Sequence, residues 1–130
     1  MEFQFGPLPN RRELRPVVTF TFPKLPQASV LGLIDSGAVG TRISADYADA
    51  LDLDITNSEP IRFIAGGGSY DAFPATIPIT VAGHTRDTRV HFVRGWPHSY
   101  ALLGIEGFFE NYIVRIDATK RLTQLRPSRH

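Results

Sequence analysis

"VLGLIDSGAVGTRIS", Val30 to Ser44, is the stretch whose reading decides the fold. Val30, Leu31, Leu33 and Ile34 surround Gly32 and run without alternation into Asp35. An unbroken apolar run is the pattern of a buried strand rather than a half-exposed one. An acid at the tip of such a strand, where a core would normally close, needs a reason. Ser36 and Gly37 follow it at once: glycine lets the chain turn and brings backbone N–H groups close, and the serine hydroxyl can donate or accept across a tight junction.

On either side the grammar is mostly that of strands. "RPVVTFTFP" (Arg15 to Pro23) is rich in β-branched and aromatic residues and closed by proline, and after the loop "KLPQ" it should pair antiparallel with "ASVLGLID". "TRI" makes a short strand, and Ser44 offers an N-cap to a helix over "ADYADALDL", with Ala45, Ala48, Leu51 and Tyr47 on one face. Alternation at Ile61 and Phe63 and at Ile77, Ile79 and Val81, broken by Gly66-Gly67-Gly68 and Ala82-Gly83, predicts two hairpins. The last third reads as the apolar strand "YALLG", a helical turn around "IEGFFEN", a strand "YIVRID", a turn at Ala118-Thr119 and a final strand "RLTQL".

The chain has 130 residues, of which 42% are hydrophobic, so it is expected to form one domain, 1–130, with its core at about 17–125. Its formal charge of +1 gives no strong field for nucleic acid or membrane, and Lys120, Arg121, Arg126 and Arg129 read as a solvated basic end. With no cysteine, disulfides, thiolate metal sites and a cysteine nucleophile are excluded. No segment has the length of a signal peptide's apolar stretch or of a membrane span, so a soluble, cytoplasmic protein is the expectation. Periodicity and composition alone lead to a mostly β domain with two short helical pieces, barrel-like or sandwich-like.

A second apolar strand ends in glycine at Leu102-Leu103-Gly104 and runs straight into a helical turn. With Asp35-Ser36-Gly37-Ala38 before it and a glycine-rich hairpin within Arg62 to Ile79 between them, the chain resembles a single lobe of the aspartic proteases of the retropepsin and pepsin clan. The resemblance covers about Val17 to Leu125. It rests on both motifs ending apolar strands, on "TRIS" and "ADALDLD" after the first, and on helix then "YIVRID" after the second. It implies a mostly β, closed barrel-like lobe with a flap hairpin and two short helices.

The function implied by this resemblance is that of an aspartic endopeptidase. That chemistry needs two carboxylates sharing a proton: one acts as base toward water, while the other stays neutral and donates to the carbonyl oxygen. The chain supplies one, Asp35, so the resemblance implies a homodimer acting on peptide or protein substrate, with no cofactor and no metal. Ser36 would hydrogen-bond across the two-fold axis, Gly37 would leave room for backbone contacts and substrate, and Ala38 would pack beneath. Leu102, Leu103 and Gly104 would support the site from the second loop. In the flap, Gly66, Gly67 and Gly68 would form the tip, with Tyr70 or Phe73 over substrate as an apolar lid. The competing reading is a non-catalytic peptide-binding or dimerisation module of the same fold.

Two departures accompany the likeness. Viral members carry an aspartate after the first alanine and an arginine after the second glycine, and the two pair; the matching residues here are Val39 and Ile105. Losing one partner of a buried pair costs about 3–5 kcal/mol, whereas replacing both by apolar groups can be neutral. Their joint absence reads as altered wiring rather than decay. It also puts in question the contact that the viral-type aspartate makes with substrate backbone. The close, "GIEGFFENYIVRID", looks nearer to the end of a pepsin lobe than to a viral C-terminus.

Other constellations carry less. His84, His91 and His98 recur every seven residues, which on strands puts successive rings on opposite faces. Asp46, Asp49, Asp52 and Asp54 read as the wet side of the short helix, and Glu106 and Glu110 as solvent-facing. Gly66-Gly67-Gly68 lacks the lysine and hydroxyl of a phosphate loop. Arg42, Arg62 and Arg86 form no nucleic-acid stripe, and Trp96 beside Tyr100 reads as an aromatic packed under a loop.

Overall fold

In the computed structural model, which describes residues 1–129, the chain runs β1 (Glu2–Gln4), β2 (Gly6–Pro7), β3 (Leu14–Arg15), β4 (Val17–Phe22), β5 (Leu25–Ile34), β6 (Arg42–Ser44), α1 (Ala45–Ala50), β7 (Ile61–Ala65), β8 (Gly68–Val81), β9 (His84–Val93), β10 (Ala101–Leu103), α2 (Phe108–Asn111), β11 (Tyr112–Asp117) and β12 (Leu122–Pro127). Strands dominate because the apolar residues alternate. In β4, Val18, Phe20 and Phe22 are buried while Thr19 is exposed.

The main sheet has the order β4-β5-β10-β6-β9-β8-β7, and β4 also pairs with β8 at Thr21–Thr80. Every strand of this sheet but β7 therefore belongs to a barrel-like ring, which the single Thr21–Thr80 pair closes in part. Its interior is filled by Phe20, Phe22, Ile43, Val90, Phe92 and Leu103, all at most 1–2% exposed. The antiparallel β4–β5 hairpin is present, but β5 begins at Leu25, so "KLPQ" is a tight turn followed by strand rather than a loop.

α1 starts where expected: the Ser44 hydroxyl accepts from the Asp46 amide at 3.2 Å, and Ala45 and Ala48 are buried. β7 and β8 turn through Gly66 and Gly67, with φ of 57° and 81°, between the paired Ala65 and Gly68. Two successive left-handed residues make the turn whose twist matches a two-residue hairpin. The β8–β9 hairpin turns at Ala82-Gly83 in the same way. A separate three-stranded sheet, β1-β12-β11, joins the two ends of the described chain; β1 lies outside the 17–125 core expected from sequence. A small two-stranded sheet joins β2 and β3. Among the described residues no helix is long and apolar enough to cross a membrane.

Candidate active site

The short strand β10 lies between β5, to which it is parallel, and β6, to which it is antiparallel. This insertion brings together the chain leaving β5, residues 35–40, and the chain leaving β10, residues 104–107. The Asp35 amide donates to Leu103 O at 3.0 Å, Ile105 N to Ala38 O at 2.9 Å, and Glu106 N to Val39 O at 2.8 Å. Both sequence motifs, Asp35 to Ala38 and Leu102 to Gly104, thus form one unit.

Asp35 is partly exposed at the head of this unit. Its Oδ1 accepts from the Gly37 amide at 2.8 Å, and its carbonyl accepts from the Ala38 amide at 3.1 Å. This is the turn an aspartate stabilises with its own side chain. It aims the carboxylate while leaving the other oxygen open. A Cβ at Gly37 would stand 3.1 Å from Oδ1, so glycine there keeps the acid uncrowded. Ala38 is buried, whereas Ser36 is exposed and among the described residues its hydroxyl has no partner.

Beneath the loops lies Thr41, with no exposed surface. Its hydroxyl donates to Glu106 O at 2.8 Å and accepts from Gly104 N at 3.1 Å and Phe108 N at 3.3 Å. Sequence reasoning passed over this residue. The signal was available, because Thr41 is two residues before the core residue Ile43, so alternation points a hydroxyl inward. Asn111 does similar work nearby, donating to Asp87 O and Thr88 Oγ1 at 3.2 and 3.1 Å.

Strand register also defines the surface on which Asp35 stands. Val17 pairs with Leu33, Leu33 with Leu102, Leu102 with Arg42, Arg42 with His91, and His91 with Pro74. Residues paired across strands point to one face, and Asp35 follows Leu33 by two along the same chain. This face therefore has an apolar end, where Leu8, Val17 and Leu33 pack with Leu31, Tyr100 and Leu102, and a basic end at Arg42 and His91. A cleft of about 300 Å³ is lined by Val30, Ile43, Trp96 and Ala101. Val30, Ile43 and Ala101 belong to the ring's interior face, opposite Leu33 and Leu102, so that cleft is not Asp35's surroundings.

The β7–β8 hairpin, where a flap is expected, reaches the basic end. Phe63 and Tyr70 are cross-strand partners with ring centroids 5.6 Å apart, and the Arg42 guanidinium carbon is 4.1 Å from the centre of the Phe63 ring. Tyr70 thus shares the face turned to Arg42, with Gly66 to Gly68 at the tip. Phe73 is opposite Phe92 and packs against the main core. Val39 is 77% exposed and Ile105 46% exposed, adjacent through the hydrogen bonds that join their loops.

The remaining sequence candidates separate. His84 contacts Tyr112 and His98 stacks on Tyr100 and meets Trp96 edge-on, whereas His91 sits against Gly40. Burial pushes the His91 pKa down, opposed by the Glu106 carboxylate and reinforced by Arg89 and Arg42. Glu110 accepts from the Gly107 amide at 2.7 Å, and Glu106 lies 3.9 Å from Arg89, so neither merely faces water. Trp96 Nε1 donates to Tyr100 O at 2.8 Å, the packed-under-a-loop arrangement expected of it. Among the described residues no group of three or more His, Cys, Asp or Glu side chains converges as metal ligands would.

No protein-family model and no curated protein sequence matches the chain. Solved structures do. A retropepsin-like aspartic protease from Rickettsia conorii is similar with a TM-score of 0.66 at 19% identity, over 95% of this chain and 97% of that one. The retroviral protease-like domain of Ddi1 from Leishmania major is similar with a TM-score of 0.61 at 17% identity, over 84% of this chain and 86% of that one. On these likenesses the fold of this chain is retropepsin-like.

Proposed function

We propose that the chain is an aspartic endopeptidase that acts as a homodimer. The observation that carries this reading is Asp35 itself: a carboxylate held by one oxygen at the exposed end of an apolar strand, in a loop welded to the chain after β10. A structural acid would be paired, and no ion pair involves Asp35 among the described residues. The retropepsin-like fold supports the same reading at the level of the family.

In this reading Asp35 of each copy meets its counterpart across a two-fold axis. One ionised carboxylate takes a proton from water as the oxygen attacks the peptide carbonyl. Its protonated neighbour donates to the carbonyl oxygen, and collapse of the tetrahedral intermediate passes a proton to the leaving amine. The two acids titrate as a pair, so the pH profile belongs to the dyad. The unpartnered Ser36 hydroxyl is available to bridge the two loops. An extended peptide would lie between flap and platform as an added strand.

A non-catalytic peptide-binding or dimerisation module of the same fold is the second reading. The observation favouring it is Val39, exposed where the viral enzymes place an aspartate. Digestion of a mixed peptide library from acid to neutral pH, by the native chain and by Asp35→Asn, separates the two. Cleavage by the native chain alone supports the endopeptidase. Equal cleavage by both, or none by a native chain that sedimentation shows to be dimeric, overturns it.

A further inference from the structure

The basic end of the platform has a chemistry of its own. Arg42 lies one strand beyond Leu102 and two beyond Leu33, on the face that carries Asp35. Neighbouring strands are about 4.8 Å apart, so its backbone is about 10 Å from the strand leading to Asp35, or two to three residues of an extended peptide at about 3.4 Å each. The nearby arginines are engaged elsewhere: Arg62 pairs with Asp71 at 3.2 Å on the flap, and Arg89 lies 3.9 Å from Glu106. Arg42 has no carboxylate partner among the described residues. Phe63, over which it sits, has no oxygen to accept its N–H groups. A partly buried guanidinium that keeps its planar fork of donors free is built for a planar, bidentate acceptor.

We propose that Arg42 selects substrate, taking the carboxylate of an Asp or Glu side chain that flanks an apolar residue seated on the partly exposed Leu102 and Tyr100. The assignment rests on the reading of this face as a peptide site, but not on its being catalytic. The flap and Arg42 then act together. Contact with Phe63 holds the guanidinium under the hairpin, and a carboxylate entering there fills a space that the fold leaves positive. The apolar wall made by Leu102 and Tyr100, backed by the buried Leu33, fixes the neighbouring side chain, so the expected substrate pairs an apolar residue with an acidic one two to three positions away.

The test is binding to full-length Asp35→Asn, which removes cleavage from the measurement. Fluorescent peptides with an apolar centre, and Glu, Gln or Lys walked through the flanking positions, are titrated by anisotropy at low and high salt. The Glu peptide is expected to bind about tenfold more tightly than its Gln isostere at one position, corresponding to about 1.4 kcal/mol. High salt should shrink that ratio. Arg42→Glu should reverse the order in favour of the Lys peptide, and Arg42→Leu, which keeps the bulk, should abolish it. A merely structural Arg42 would not reverse a charge preference. Equal binding of Glu and Gln peptides to the Arg42 protein, or no binding of any peptide, overturns the assignment. Acid-selective binding without library cleavage by a native chain that sediments as a dimer would instead sink the endopeptidase reading and leave Arg42's role standing.

Discussion

Thr41 and Gly104 meet through one hydrogen bond, the Gly104 amide donating to the buried Thr41 hydroxyl at 3.1 Å. The same hydroxyl also accepts from Phe108 N and donates to Glu106 O, so three backbone groups of the loop after β10 are satisfied by one side chain. Asp35 depends on this loop, because its own amide is held by Leu103 O.

Thr41→Val keeps the shape and removes the oxygen. Leaving buried amides unsatisfied costs about 1–3 kcal/mol for each group, so a loss of about 3 kcal/mol is expected, read as a lower urea midpoint at unchanged slope. Thr41→Ser retains the hydroxyl and should lose about 1 kcal/mol through the missing methyl alone. Equal losses for the two variants would mean that packing, not hydrogen bonding, ties the loops.

Gly104→Ala should be far worse than its size implies. A Cβ there would stand 2.7 Å from Ala38 O and closer still to Gly40 O, and backbone has no rotamer through which to yield. Overpacking of this kind costs about 3 kcal/mol, and it pushes apart the loops that carry Asp35. Gly83→Ala provides the control: nothing lies within 4 Å of its Cβ, and only the positive φ of 79° is strained, worth about 1–2 kcal/mol. Comparable thermal shifts in the two variants would contradict the steric account.

What the sequence made legible was local. The apolar run into Asp35, the Ser44 cap and the glycine turn at Gly66-Gly67 each announce themselves within a few residues, because φ, capping and alternation are short-range constraints. The insertion of β10 between β5 and β6 left no such trace, since three residues, Ala101 to Leu103, carry no period and their neighbours come from 60–70 positions earlier. The pairing of β1 with β12 was equally hidden: Gln124 donates to Glu2 across nearly the entire sequence. Arg42 was read as one of several scattered arginines, and only its register opposite Leu102 and its place under Phe63 distinguish it.

His91 should make the fold sensitive to mild acid. Burial against Gly40 favours the neutral ring, and Arg42 and Arg89 add to that preference while Glu106 opposes it. With the folded pKa below the ordinary 6.5, the unfolded chain binds the proton first as pH falls. Stability is then unaffected above about 6.5, declines from there through the folded pKa, and levels off below it. His91→Gln should flatten that part of the profile, measured as urea midpoints between about pH 7.5 and 5, while the carboxylate-driven decline at lower pH persists. A native slope that survives the substitution would place the titrating group elsewhere.

Val39 and Ile105 test the homodimer. Val39 is 77% exposed in the single chain, so Val39→Asp should change its folding stability by no more than about 0.5 kcal/mol. If two copies meet around Asp35, the adjoining Val39 and Ile105 are covered as well. Burying a valine contributes about 1.5–3 kcal/mol, and two-fold symmetry counts every substitution twice. Val39→Asp is thus expected to weaken self-association by 100-fold or more, about 3 kcal/mol, in sedimentation equilibrium. Adding Ile105→Arg should recover part of the loss by supplying the missing partner, so the double variant associates more tightly than either single one. An unchanged dimer in Val39→Asp would put the two-fold axis away from this patch, and with it the meeting of the two Asp35 carboxylates.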